Sequence, residues 1–220
     1  MPNRQHYEHK LAEIYQEVAQ MGHILVSSIH ELESMMRGAQ SEESTLTKIQ
    51  EEEEHINSLE LQLEDKFITF IATEQPVAHD LRKIVSSIKI VSHWERMGDY
   101  LLHIANKYVK MDHQFLPTYL PRFIRMLETL TIMIEGTLDA YLKNDVRKAE
   151  EIAALDDEID KEHKLYLKDL FQTLRLPGRE KEFARSLNLG RSFERIGDHI
   201  TNICEWIVYA EQFRHVELNP

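Results

Sequence analysis

The chain has 220 residues, with 38 acidic side chains against 26 basic ones, a formal net charge of −12 and one cysteine. That charge argues against nucleic acid or an anionic lipid surface as the main partner and favours cations or a basic protein patch. A single thiol excludes an internal disulfide and a cysteine-built zinc site, and suits a reducing compartment.

Seven glycines and six prolines are few for this length. Long uninterrupted segments rich in Leu, Glu, Lys, Ala and Ile predict helices, with no alternating strand pattern. The start MPNRQHYEHK is polar and lacks a signal peptide's apolar centre, and the first helix is expected over roughly 4–37. GAQSEEST ends it, with Ser41 as N-cap of a second helix over roughly 42–73. Gln75-Pro76 opens a third at roughly 76–111, with Pro at the first helical position. MDHQFLPTYLP then separates the halves, followed by a fourth helix at roughly 119–143. Asn144 or Asp145 caps a fifth at roughly 145–175, and LPGR turns into a sixth at roughly 179–213. No apolar run reaches the roughly 18 residues that span a bilayer, so a cytoplasmic protein without a transmembrane segment is expected.

The third and sixth helices carry the same motif. WERMGDYLLHIANKY begins at Trp94 and FERIGDHITNICEWI at Phe193, so Glu95, Arg96, Gly98 and Asp99 recur 99 residues on as Glu194, Arg195, Gly197 and Asp198. Each copy keeps two local faults, a mid-helix glycine that costs about 1 kcal/mol relative to alanine and two like charges one turn apart. On a helical wheel Leu189, Phe193, Ile196, Ile200, Ile203 and Ile207 form one apolar stripe, matched by Ile90, Trp94, Met97, Leu101, Ile104 and Tyr108. The fold expected is all-α, two pseudo-symmetric three-helix bundles in tandem, at roughly 1–112 and 113–220.

Opposite the stripes lie Glu95, Asp99, His103 and Asn106, and Glu194, Asp198, Asn202 and Glu205. A solvated face is the plain reading of such rows. Leu81, Ile84 and Ile88, and Phe183 and Leu187, fall near the same direction a few turns earlier, which points instead to partial burial and to compensation by a cation. EEEEHIN, with Glu53 and Asn57, and LDDEID, with Asp156 and Asp160, offer further oxygen donors at i,i+4. Hard oxygen donors suit Mg, Mn, Ca or iron.

TEQPVAHDLRKIVSSIKIVSHWERMGDYLLHIAN resembles the first repeat of the PhoU family, and SFERIGDHITNICE its second, the likeness running over roughly residues 18–212. The resemblance implies two three-helix bundles, often a homodimer, and a regulator rather than a catalyst. Such proteins act beside a phosphate ABC transporter, with its ATPase, and a phosphate sensor histidine kinase, restraining uptake and repressing the starvation response. They work in the cytoplasm, at the inner face of the membrane through those partners. Some members bind metal clusters, divalent or iron and multinuclear, through paired acidic motifs. Carried across, these fall on Glu53, Asn57, Glu95 and Asp99, and on Asp156, Asp160, Glu194 and Asp198. Asp80 and Arg82 match the DLR element, and Asp80 and Asn202 are further metal or structural candidates. His103 stands where the family commonly has Asn, and is either a nitrogen ligand or an exposed helical His.

Two rivals remain open. A di-iron carboxylate protein needs paired Glu-x-x-His motifs, for which Glu52 with His55 and Asp160 with His163 are the available residues. A helical adaptor would use the acidic rows to dock on basic partners without metal. No glycine-rich phosphate cradle is present.

Overall fold

Leu, Glu, Lys and Ala lose little side-chain freedom in a helix, and with few breakers between them they fold as helices throughout the computed structural model. It describes residues 2–111, 116–173, 178 and 180–218. The elements are α1 (Pro2–Met36), α2 (Glu42–Glu74), α3 (Ala78–Tyr108), α4 (Leu116–Lys143), α5 (Val146–Ala153), α6 (Asp156–Thr173) and α7 (Glu180–Gln212). Among the described residues none is long and apolar enough to cross a membrane. The expected division near 112–113, and all of LPGR except Gly178, lie outside those residues.

The caps follow side-chain chemistry. Ser41 Oγ accepts the Ser44 N–H at 3.2 Å, and the Asp145 carboxylate accepts the Lys148 N–H at 3.1 Å, each satisfying a first-turn donor. Three boundaries differ from expectation. Gln75 closes α2 in the left-handed region (φ 48°) with its N–H on Ile71 O, and Val77 is extended, so Pro76 precedes α3 rather than opening it. The residue before a proline is disfavoured in α geometry, which fits this break. Second, α4 begins at Leu116 and contains Pro121. Pro121 is the sixth residue of α4, past the first-turn N–H groups that lack a partner anyway, so the helix forgoes one i→i−4 bond near its start. Third, the expected fifth helix is two helices, α5 and α6, with a tight turn at Ala154 and Leu155 in which the Leu155 N–H meets Ile152 O at 3.0 Å.

Helices α1, α2 and α3 pack together, as do α4, α5, α6 and α7. The two sets meet mainly along α3 and α7, flanked by α1 on α4. Contacts from Lys83 to Glu211, His93 to His199 and Arg185 to Lys110 show that α3 and α7 run antiparallel. Every residue of both apolar stripes is buried. Phe193 stacks on Phe123 at 5.4 Å, while Trp94, its counterpart in the repeat, is sealed with no partner for its indole Nε1. The second apolar side is covered only in part: Ile84 is buried, Ile88 and Phe183 half-buried, and Leu81 and Leu187 exposed.

Candidate functional site

In the first half α2 crosses α3 at Gly98. A Cβ added there would lie 3.3 Å from Ile56 Cδ1 and 3.9 Å from Glu53 Cγ, so the glycine lets the two helices close up beside the carboxylates. Glu95 is only 14% exposed. Burial raises its carboxyl pKa above the usual range, Asp99, Glu60 and Glu53 add to the shift by repulsion, and Arg96 opposes it. Glu60 is raised in the same way, by burial and then by Glu64. Arg96 reaches both Glu95 and Asp99 at 3.3 Å. Asn57 Nδ2 donates to Glu53 Oε1 at 2.6 Å.

The second half repeats the plan with different chemistry. Gly197 lies against Asp156, which opens α6 and is 4% exposed; an added Cβ would be 2.2 Å from Asp156 Oδ1. Asp160 pairs with Lys164 at 2.9 Å. One turn on, at the place α2 gives to Glu60, stands His163. It is buried, with Nδ1 3.6 Å from Glu194 Oε2 and with Nε2 unpartnered. Burial lowers its pKa and Glu194 pulls the other way. The Asp198 carboxyl is raised by burial and then by Glu194. Asp156, Asp198 and Asn202 line one depression of about 570 Å³ together with Arg195, Glu205 and Glu217.

The motif glycines should therefore respond unequally. Gly98→Ala is expected to stay within about 1 kcal/mol of wild type, since helix propensity gains what Ile56 must yield. Gly197→Ala should cost about 1–3 kcal/mol by forcing Asp156 aside. Paired urea titrations would check this, and equal losses would show that Asp156 yields freely.

The structure thus sets Glu53 and Asn57 across from Glu95 and Asp99, and Asp156 and Asp160 across from Glu194 and Asp198. Asn202 joins the second group, its Nδ2 donating to Asp198 O at 2.6 Å. His103 is exposed and lies on the α3–α7 groove with Tyr100 and Ser192. Asp80 stands apart and accepts the Tyr7 hydroxyl at 2.9 Å, a structural contact. Glu52 turns to α1, accepting from Ser27 and Ser28, and His55 is exposed, so that Glu-x-x-His pair does not reach the rows. Sequence reasoning did not place Glu60 or Glu217 at the site, and it weighed His163 only as a di-iron ligand; Glu205, expected in the second row, does line the depression. The 103-residue spacing that equates α2 with α6 maps Glu60 onto His163.

Among the described residues no three His, Cys, Asp or Glu side chains converge closely enough to hold one ion. Asn57, Arg96, Lys164 and Arg195 instead occupy the carboxylates. The donors are oxygens of the kind hard cations take, and the Glu95 and Asp198 carboxyls are raised first by burial and then by their carboxylate neighbours, the second of which positive charge relieves.

Comparison with known proteins agrees with the repeat. The PhoU domain family matches residues 18–107 and again 123–207. A relative described as phosphate-specific transport system accessory protein PhoU homolog, from Clostridium acetobutylicum, is 28% identical over 98% of this chain and 99% of its own length. The homolog from Deinococcus radiodurans is 32% identical over 74% of this chain and 78% of its own. Among solved structures, PhoU from Pseudomonas aeruginosa superposes with a TM-score of 0.83 at 24% identity, covering 94% of this chain and 100% of that one. The phosphate transport system regulatory protein PhoU from Streptococcus pneumoniae gives 0.85 at 23%, covering 96% and 99%. At those identities the structures speak for the fold.

Proposed function

The chain belongs to the PhoU family, and on that footing we propose that it is an accessory regulator of a phosphate-specific transport system, acting in the cytoplasm by binding proteins rather than by catalysis. Its partners on this reading are the transporter's ATPase and a phosphate sensor histidine kinase, and its effect is to restrain uptake and the starvation response when phosphate is plentiful. A homodimer would present four acidic rows. The observation that carries the reading is the pair of facing, half-buried carboxylate rows set at equivalent places in the two halves, on a chain of net charge −12. Rows of that kind suit basic docking surfaces, whose attraction weakens with salt.

We further propose that the rows hold divalent or iron ions. Glu53, Glu95 and Asp99 would supply the donors in the first half, and Asp156, Asp160, Glu194 and Asp198 in the second, after Arg96 and Arg195 swing away. A bound cation would cancel the mutual repulsion and fix the docking face. The second reading, an adaptor free of metal, is favoured by the protein's own cations already tying the rows.

Asp99→Asn combined with Asp198→Asn separates the two. Elemental analysis of protein purified without a His tag or chelator is expected to show bound metal in the wild type and a loss of at least half in the double variant. Unchanged metal content removes the metal proposal. Pull-down of the ATPase or the kinase's cytoplasmic part at low and high salt tests docking, and capture insensitive to both salt and variant removes the electrostatic reading.

A further inference from the structure

Apart from the acidic rows, the antiparallel meeting of α3 and α7 makes a second chemical environment. The repeat maps Arg96 onto Arg195, Tyr100 onto His199 and His93 onto Ser192, so the two motif arginines come to either side of a pseudo-twofold axis between the helices. On one side two contiguous depressions, of about 350 and 380 Å³, share Tyr100, His103 and Ser192. Arg96 borders the first, and Arg191 and Arg195 the second. All three arginines are exposed. Arg191 makes no ion pair among the described residues. Arg96 and Arg195 reach only carboxylates of their own helix, at 3.3 to 3.6 Å, which is long for a charge-assisted pair. Asp99 also lines the first depression, and it is the group Arg96 turns to. Three guanidinium groups from two helices around one concavity are unexpected in so acidic a chain. The symmetry-related depression beside Asp198 shows the contrast, because there Arg195 is the one arginine and Asp156, Glu205 and Glu217 surround it.

We propose that the groove between α3 and α7 binds a phosphate-type oxyanion through Arg96, Arg191 and Arg195, with Tyr100 and His103 as hydrogen-bonding groups. The planar fork of arginine matches a tetrahedral oxyanion in a way a surface lysine does not. The depressions hold a phosphate group with room around it, which fits either free phosphate or the phosphate of a lipid headgroup. The proposal concerns a ligand site and stands apart from the docking and metal readings. It does connect with them chemically, because an anion that draws Arg96 from Asp99 and Arg195 from Asp198 leaves those carboxylates unpaired.

Equilibrium dialysis of the full chain with inorganic phosphate, with and without competing chloride, is the direct test, with cosedimentation on phosphatidic acid vesicles as a second arm. Wild-type protein is expected to bind phosphate, and Arg191→Gln and Arg195→Gln to weaken it by roughly tenfold each. Arg195→Lys, which keeps the charge and loses the fork, should fall between. Lys161→Gln, an exposed cation on α6, should change nothing. Melting curves establish that the variants fold, as exposed sites should allow. Binding to vesicles alone assigns the phosphate to a lipid headgroup. Binding in neither arm, or binding that survives both glutamine variants, overturns the proposal.

Discussion

Trp94→Ala is expected to destabilise the protein by about 3–5 kcal/mol, a fall of roughly 6–20 °C in melting temperature for a chain of this size. The indole is fully buried at the head of the first motif, so its loss leaves a void within a stripe that is closed on all sides. Trp94→Leu should cost far less than alanine. Leucine refills much of the volume, and it also removes a buried N–H that has no acceptor, whose burial costs about 1–3 kcal/mol in itself. Thermal unfolding of the two variants decides the matter. If leucine is as damaging as alanine, then the shape of the indole is what the core requires, and the unpaired donor is a small matter.

A second large effect is expected on acidification. His93 and His199 meet across the α3–α7 contact with their Nδ1 atoms 2.9 Å apart, one donating and the other accepting. The pKa of each is pushed from 6.5 to about 4, His93 by burial and then by His199, and His199 by burial and then by Arg195. A histidine pKa lowered by folding means that the unfolded chain takes up protons first. The stability this neutral pair contributes is therefore present above pH 6.5 and lost as pH falls from there towards 4. Allowing for partial exposure, the loss is on the order of 3 kcal/mol. Glu95, Glu60 and Asp198 act in the opposite sense. Their carboxyls are raised in the fold, so the folded state binds protons more readily and stability rises as pH falls through those values. The wild type should then show a muted slope between pH 7 and 4.5. His199→Phe is expected to reverse it, giving a rise on acidification, while Glu95→Gln with Asp198→Asn should steepen the fall. Urea midpoints across that range measure all three proteins, and identical slopes would show that neither set of groups governs the acid response.

The architecture was legible because both signals were strong and repeated. Six apolar positions in each of two helices, in the same spacing, define buried stripes whatever the rest of the chain does, and all twelve are buried. Local chemistry also carried the caps at Ser41 and Asp145. The break between α5 and α6 had no glycine or proline to announce it. It arises where Asp156 turns in beneath Gly197, a contact between residues 41 positions apart that no local window contains. Leu81 and Leu187 misled in the other direction, because a wheel gives direction and cannot say whether a neighbour lies there. The facing of α2 on α3 and of α6 on α7 followed from motif spacing. That Arg96 and Arg195 would satisfy the carboxylates, and that His163 would occupy the place of Glu60, needed the helix–helix register.

The antiparallel seam has one more outcome. Motif copies that are remote along the polypeptide become immediate neighbours, with a single layer of imidazole, phenol and guanidinium groups between them: His93 touches His199, which in turn lies 5.7 Å from the Tyr100 ring. An electrostatic event at either copy is felt by the other without any relay through the bundles, and thermodynamic reciprocity obliges the influence to be equal in both directions. Duplication followed by this mode of closure has placed the two motif copies within direct electrostatic reach of each other.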